Sequence, residues 1–150
     1  MLLSEQIAKL IEQMLDEGNG TVNVQRNDLA QTLGCVPSQI SYVISSRFTP
    51  EKGYVTESRR GGGGYIRIVR IPMTKNEYLM HFYHAIGEKV SEDEARAYIG
   101  NMFDRGVINE REAAIISYAV SADALGKISP EGRNIVRADI MRHIIRALMI

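Results

Sequence analysis

The sequence predicts a mainly α-helical protein with a small β wing: an N-terminal winged helix-turn-helix over residues 1–72 and a C-terminal unit of about four helices over residues 73–150. Three observations carry this. Two short helical patterns stand on either side of a glycine turn in "RNDLAQTLGCVPSQISYVISSR". The period then changes to two on both sides of a run of glycines in "YVTESRRGGGGYIRIVRI". Beyond Pro72 no strand pattern returns, and helix-start signals recur instead.

The first element is helical because Ile7, Leu10, Ile11, Met14 and Leu15 recur at three- and four-residue intervals, with Ser4 as the expected N-cap. "DEGNG" ends it, and "TVNV" is a candidate short strand. Asn27 is the expected cap of the next helix, whose apolar side is Leu29, Ala30 and Leu33. Ala30 is small where a second helix must cross closely, and Gly34, four positions later, can take the left-handed backbone that stops a helix. Pro37 suits the first turn of a new helix, where its missing N–H is not needed, and Ile40, Val43 and Ile44 form the inner face.

"YVTES" and "YIRIVRI" read as the two strands of a hairpin, with Ile66 and Ile68 on one side and Tyr65, Arg67 and Val69 on the other. Pro72 closes this part. Three capping boxes follow: Thr74 with Glu77, Ser91 with Glu94, and Asn109 with Glu112. A last helix is expected from Ser129-Pro130 through Leu148, with Gly106 and Gly126 as stops between helices.

Composition narrows the function. The formal net charge is zero, yet from Arg26 to Arg70 seven Lys/Arg stand against three Asp/Glu. That stretch is therefore locally basic, and the compensating acid lies in the rest of the chain. A single cysteine, Cys35, excludes an internal disulfide framework and a cysteine-based zinc site, and it sits at an apolar position in the turn, where a core role is expected. "MLLSEQIAKL" lacks the positive start and unbroken apolar stretch of a targeting signal, and no apolar run approaches the roughly 18 residues that would span a membrane. A cytoplasmic chain is expected, with no membrane partner.

In a helix-turn-helix the second helix enters the major groove and its N-terminal residues meet base edges. Here that face is Ser38, Gln39, Ser41, Tyr42 and Ser45. Gln39 is the best single reader, because a carboxamide can pair bidentately with adenine. Arg26 and Arg47 are placed to grip phosphates, and Arg67 adds charge on the second strand. The same string could also be a plain polar solvent face; the hairpin that follows favours the DNA reading.

Gly61, Gly62, Gly63 and Gly64 then acquire a purpose. A hairpin tip entering a minor groove about 6 Å wide cannot carry bulky side chains, while Arg59 and Arg60 supply charge at its base. Tetraglycine also occurs as an inert linker, but a linker has no need of strands on both sides. A phosphate-binding loop is disfavoured because no lysine and hydroxyl residue follow the glycines.

The segment from Cys35 to Ile68, with "CVPSQI" and "RGGGGYIRI" as its most specific strings, closely resembles the CtsR family, the class three stress gene repressors of Gram-positive bacteria. In the C-terminal half, "VINEREA" is similar to the corresponding stretch of that family. The resemblance implies a homodimeric repressor of protease and chaperone genes that binds tandem heptanucleotide repeats in double-stranded DNA at the nucleoid. It implies a glycine-rich wing that senses heat, inactivation by the arginine kinase McsB, and turnover by the Clp protease. Arg60, directly before Gly61, matches the modified wing arginine, and Arg59 stands beside it where many members carry lysine.

Other signals are weaker. His81 and His84 lie one turn apart but lack a third ligand, so helix-surface roles are expected. Asp93, Glu94, Glu110 and Glu112 fall in first helical turns, where the dipole favours acid. No nucleophile–base set, metal site or cofactor motif stands out, and no catalysis is expected. The apolar surface of "SYAV" and "NIVRADIMRHIIRALMI" is expected to form a dimer interface. Two alternatives stay open: a winged helix used as a protein-interaction adaptor, and a repressor whose C-terminal part binds a small effector.

Overall fold

A computed structural model describes residues 2–60 and 64–150. The chain divides into two units, Met1–Pro72 and Met73–Ile150. The first opens with α1 (Leu3–Glu17), whose Ile7, Ile11 and Leu15 are fully buried. Ser4 is not its cap. Leu2 occupies that position in extended backbone with no side-chain cap, and Ser4 lies inside the first turn. Gly18 ends the helix where a Cβ would fall 2.1 Å from the Thr21 carbonyl oxygen, so only glycine fits.

Strand β1 (Thr21–Val24) leads through one extended residue, Gln25, into α2 (Arg26–Leu33). Asn27 is therefore a helical residue and not the expected cap. The cause is tertiary: Val24 pairs with Ile66 and is buried, which leaves only Gln25 to turn the chain. Gly34 stops α2 at φ 69°, with the Cys35 N–H bonded to the Ala30 carbonyl at 2.9 Å. Helix α3 (Pro37–Arg47) starts on its proline and buries Ile40, Val43 and Ile44.

The hairpin consists of β2 (Tyr54–Arg59) and β3 (Tyr65–Arg70), joined to β1 in a three-stranded antiparallel sheet of order β1-β3-β2. Ile66 and Ile68 of β3 turn inward onto the core, and Tyr54 joins them from β2 with its ring edge-on to Phe48 at 4.8 Å. After Tyr54 every residue of β2 is exposed, so the outer part of the hairpin projects beyond the core.

The second unit contains α4 (Lys75–Ala85), α5 (Glu92–Asp104), α6 (Glu110–Ala119) and α7 (Pro130–Leu148). All three capping boxes form, with cap oxygens accepting the N3 N–H at 3.2 Å for Thr74, 3.0 Å for Ser91 and 2.8 Å for Asn109. Each such cap is worth about 1 kcal/mol. Tyr78, Leu79, Phe82, Met102, Met141 and Ile145 centre the core. The buried Arg137 crosses it, donating from Nε to the Val120 carbonyl at 2.7 Å and from Nη1 to that of Val90 at 3.0 Å.

Gly106 follows α5 at φ 73°, as a helix stop should. Gly126 does not stop α6, which ends at Ala119 with Val120 as its C-cap. Gly126 belongs instead to a longer turn stitched by Arg133, whose guanidinium donates to the carbonyls of Leu125, Gly126 and Ile128. Among the described residues no helix is long and apolar enough to cross a membrane.

Candidate nucleic-acid interface

Three pieces of chain converge on one concavity of about 760 Å³. The start of α2 contributes Arg26, the start of α3 contributes Ser38 and Ser41, and the hairpin contributes Arg59, Arg60 and Gly64. Residues separated by more than thirty positions meet here because β3 pairs with both β1 and β2, which brings the outer hairpin beside the chain that follows β1.

Arg26 is exposed, and its Nη1 donates to the Ser41 hydroxyl at 3.2 Å. The bond ties the first residue of α2 to the outer face of α3 and holds a cation at the rim. Arg59 pairs with Glu57 at 3.1 Å, but both side chains are at least half exposed, so the pair is weak and easily exchanged. Arg60 is exposed. Gly64 has φ 73°, a left-handed backbone, with room for a Cβ 3.6 Å from the Arg59 carbonyl oxygen; its requirement is conformational rather than steric. Gly61, Gly62 and Gly63 lie outside the described residues.

Gln39 is exposed, and its Oε1 accepts the Val36 N–H at 3.0 Å. That bond satisfies a free N–H at the start of α3 and fixes the carboxamide. A carbonyl oxygen has two lone pairs, so Oε1 can still accept a second donor while the NH₂ stays free. Tyr42 is 58% exposed, lies with Ser38 and Gln39 beside the first turn of α1, and does not itself line the concavity. Ser45 is exposed and donates to the Tyr42 carbonyl at 3.0 Å. Arg67 is exposed on the outer face of β3, opposite Asn23 of β1 and Glu57 of β2, and does not line the concavity.

Arg47 requires a correction. The structure buries it at 4% exposed, with Nη1 donating to both oxygens of Glu5 at 3.1 Å, which suits a structural fastener better than the phosphate clamp expected from its place in the sequence. The pair fastens the end of α3 to the first turn of α1. Position in sequence offered no warning, because Glu5 lies 42 residues away.

A second buried cluster sets the wing from below. Tyr54 and Arg70 are opposite each other where β2 and β3 join the core. Tyr54 Oη donates to Glu12 Oε1, Arg70 Nη2 pairs with Glu12 Oε2, and Arg70 Nη1 binds Asp16 at 2.8 Å. Burial by itself would lower the pKa of Arg70, but the bond to Asp16 and the charges of Glu12 and Tyr54 outweigh it and raise the value. Reading the sequence missed this cluster, since Glu12 looks like an ordinary polar position on α1. It also missed Gln25, Asn27, Asp28 and Ser58 in the lining of the concavity. The signal for the first three was the true start of α2.

Cys35 is half-buried and packs against the core. Among the described residues no group of three or more His, Cys, Asp and Glu is arranged to hold a metal ion.

Comparison with known proteins bears on this geometry. Two family models match the chain, one described as the CtsR N-terminal HTH domain over residues 2–72 and the other as the CtsR C-terminal dimerization domain over residues 74–146. A protein named transcriptional regulator CtsR from Staphylococcus haemolyticus is 40% identical over 145 residues, 95% of this chain and 94% of that protein. One of the same name from Staphylococcus epidermidis is 39% identical over the same shares. The fold is similar to a crystal structure of CtsR in complex with a 26-bp DNA duplex, with a TM-score of 0.73, 33% identity and 99% of both chains covered.

Proposed function

The chain belongs to the CtsR family of transcriptional regulators, with a DNA-binding and a dimerization domain, and on that premise we propose that it represses stress genes by gripping an operator between α3 and the wing. As a homodimer it sets the start of α3 in the major groove and the wing tip in the minor groove of tandem heptanucleotide repeats. Residues 1–72 do the reading and residues 73–150 the pairing. It acts in the bacterial cytoplasm, at the nucleoid, and without catalysis.

The observation that carries this reading is the convergence of Arg26, Ser41, Arg59 and Arg60 on one concavity beside α3. Cations and hydroxyls brought together from three elements suit a phosphate backbone, while Ser38 and Gln39 at the exposed start of α3 suit base edges. The Gln39 carboxamide, fixed by the Val36 N–H, is oriented before DNA arrives.

Heat and modification act on the wing. Fixing four glycines against DNA costs backbone entropy that weighs more as temperature rises, so the wing loosens its hold on heating. Phosphorylation of Arg60, by an arginine kinase of the McsB type, replaces a cation with an anionic group facing DNA phosphates, and the Clp protease removes the released repressor.

Selection of bound duplexes from a random pool tests the reading. The expected result is one enriched word recurring in tandem and retained against excess non-specific DNA at physiological salt. Binding that vanishes under that competition, with no enriched word, would overturn it in favour of an adaptor role.

A further inference from the structure

Helix α3 separates two hollows in the first unit. One is the wing-side concavity, to which α3 contributes Pro37, Ser38 and Ser41. The other is a groove of about 290 Å³ between α3 and the first turn of α1. Gln39 and Tyr42 line it from α3, Leu3 and Ser4 from α1, and the buried Ile7 and Val43 underlie it. At about 100° per residue, Pro37 and Ser41 fall on one flank of α3 and Gln39 and Tyr42 on the other. Ser38 lies on the crest between them and lines both hollows.

A helix lying in the major groove has a DNA strand on each side. The groove is about 12 Å wide and a helix with its side chains about 10–12 Å across, so the two sugar–phosphate backbones run along its two flanks. The concavity that holds Arg26, Arg59 and Arg60 takes one of them. The other then meets the flank that carries Tyr42, where α1 stands beside α3. The chemistry there suits it. The hydroxyls of Ser4 and Tyr42 can donate to phosphate oxygens, and Leu3 and the Tyr42 ring offer apolar surface to a deoxyribose. Glu5, the acid in the same turn of α1, has both oxygens held by Arg47 at 3.1 Å, so a phosphate meets it as half of an ion pair. That pair also fixes α1 against α3, and with it the width of the groove.

We propose that the groove between α1 and α3 holds the backbone of the second DNA strand, with Ser4 and Tyr42 donating to its phosphate. This rests on the DNA reading above and extends it from the strand beside the wing to the strand across the major groove. Tyr42 then positions α3 and does not read a base.

Gel-shift titrations of the full chain, on the duplex selected from a random pool and on non-specific DNA, test the proposal. Tyr42→Phe and Ser4→Ala each remove a hydroxyl and no charge. Each should weaken binding to both duplexes by about tenfold, as loss of a hydrogen bond to a charged group does. The preferred word and the salt slope should stay as they are. Ser4→Asp suits a first helical turn and should keep the fold, yet it should weaken binding further by repelling the phosphate. Methylphosphonates, which make one phosphate at a time neutral, locate the contact. Positions that matter to wild type but not to Tyr42→Phe should lie on the opposite strand from those that cease to matter in Arg26→Ala. Positions on the same strand, or none that distinguish Tyr42→Phe from wild type, would overturn the groove alone. So would a Tyr42→Phe variant that changes the preferred word and keeps its non-specific affinity. A wild type with no preferred word would overturn the operator reading, and the groove with it.

Discussion

The two ends of the wing hairpin are built on opposite plans. Where it joins the core, Tyr54 and Arg70 are held by Glu12 and Asp16 in a largely buried cluster. A few residues outward, Thr56 to Arg60 are all exposed, and the ion pair of Glu57 with Arg59 there is open to water. The base trades polar groups for rigidity, while the outer part keeps its cations exposed to water. On the proposed reading, a fixed base would leave little of the binding free energy to be spent on orienting the outer hairpin. Substitutions at the base should therefore cost folding stability, and those near the tip should cost DNA binding.

The largest loss of stability is expected for Glu12→Ala. It leaves the Tyr54 hydroxyl and one side of Arg70 without their partner in the core, and breaking such a buried pair costs about 3 kcal/mol, the low end of the usual range because Asp16 still holds Arg70. Urea denaturation should show the drop directly. A cost under about 1 kcal/mol would mean that the cluster does not hold the base. Arg70 should add no pH dependence near neutrality: its pKa is raised, so its contribution is complete below the unfolded arginine value and fades only in strong alkali.

Arg47→Ala comes next, at about 2 kcal/mol, less than a fully buried pair because the Glu5 carboxylate is 30% exposed and can return to water. This variant separates two readings. If Arg47 held DNA phosphates, its loss would flatten the dependence of affinity on salt by about 0.9 in the logarithmic slope. As a fastener between α1 and α3 it should lower stability and leave that slope in place. Gly64→Ala should cost about 1 kcal/mol, since alanine at φ 73° is strained while its Cβ meets only an ordinary contact. Thermal unfolding and gel shifts at two temperatures would read both effects, and a variant with unchanged affinity and temperature dependence would remove Gly64 from the wing's function.

What could be read from the sequence was local. Thr74 with Glu77, Ser91 with Glu94 and Asn109 with Glu112 are three residues apart, so the signal and the structure it makes sit in one turn of chain. Gly34 and the Ile40–Val43–Ile44 face are equally local. Most of the failures have causes more than one turn of chain away. Asn27 lost the cap because β1 is pinned to β3, Arg47 turned inward because Glu5 is there, and Gly126 was taken into a turn held by Arg133. The four-residue β1 could be marked as extended, but its pairing with the middle of the hairpin lay beyond any local pattern.

Arg60→Ala should have the smallest effect on folding and a large one on binding, which makes it the sharpest test of the contrast. Arg60 is exposed, and substitutions away from buried features stay within about 0.5 kcal/mol. Its charge lies on the lining of the concavity with Arg26 and Arg59, so removing it should weaken binding to all duplexes and reduce the salt slope by about 0.9. Arg60→Lys should restore most of the slope, because counterion release depends on charge, yet recover less of the affinity, because an ammonium lacks the planar fork of a guanidinium. Paired salt titrations of the two variants and wild type would measure this. Equal slopes in all three would place Arg60 away from the phosphates, and the division between a structural base and a binding tip would then have to be drawn elsewhere on the hairpin.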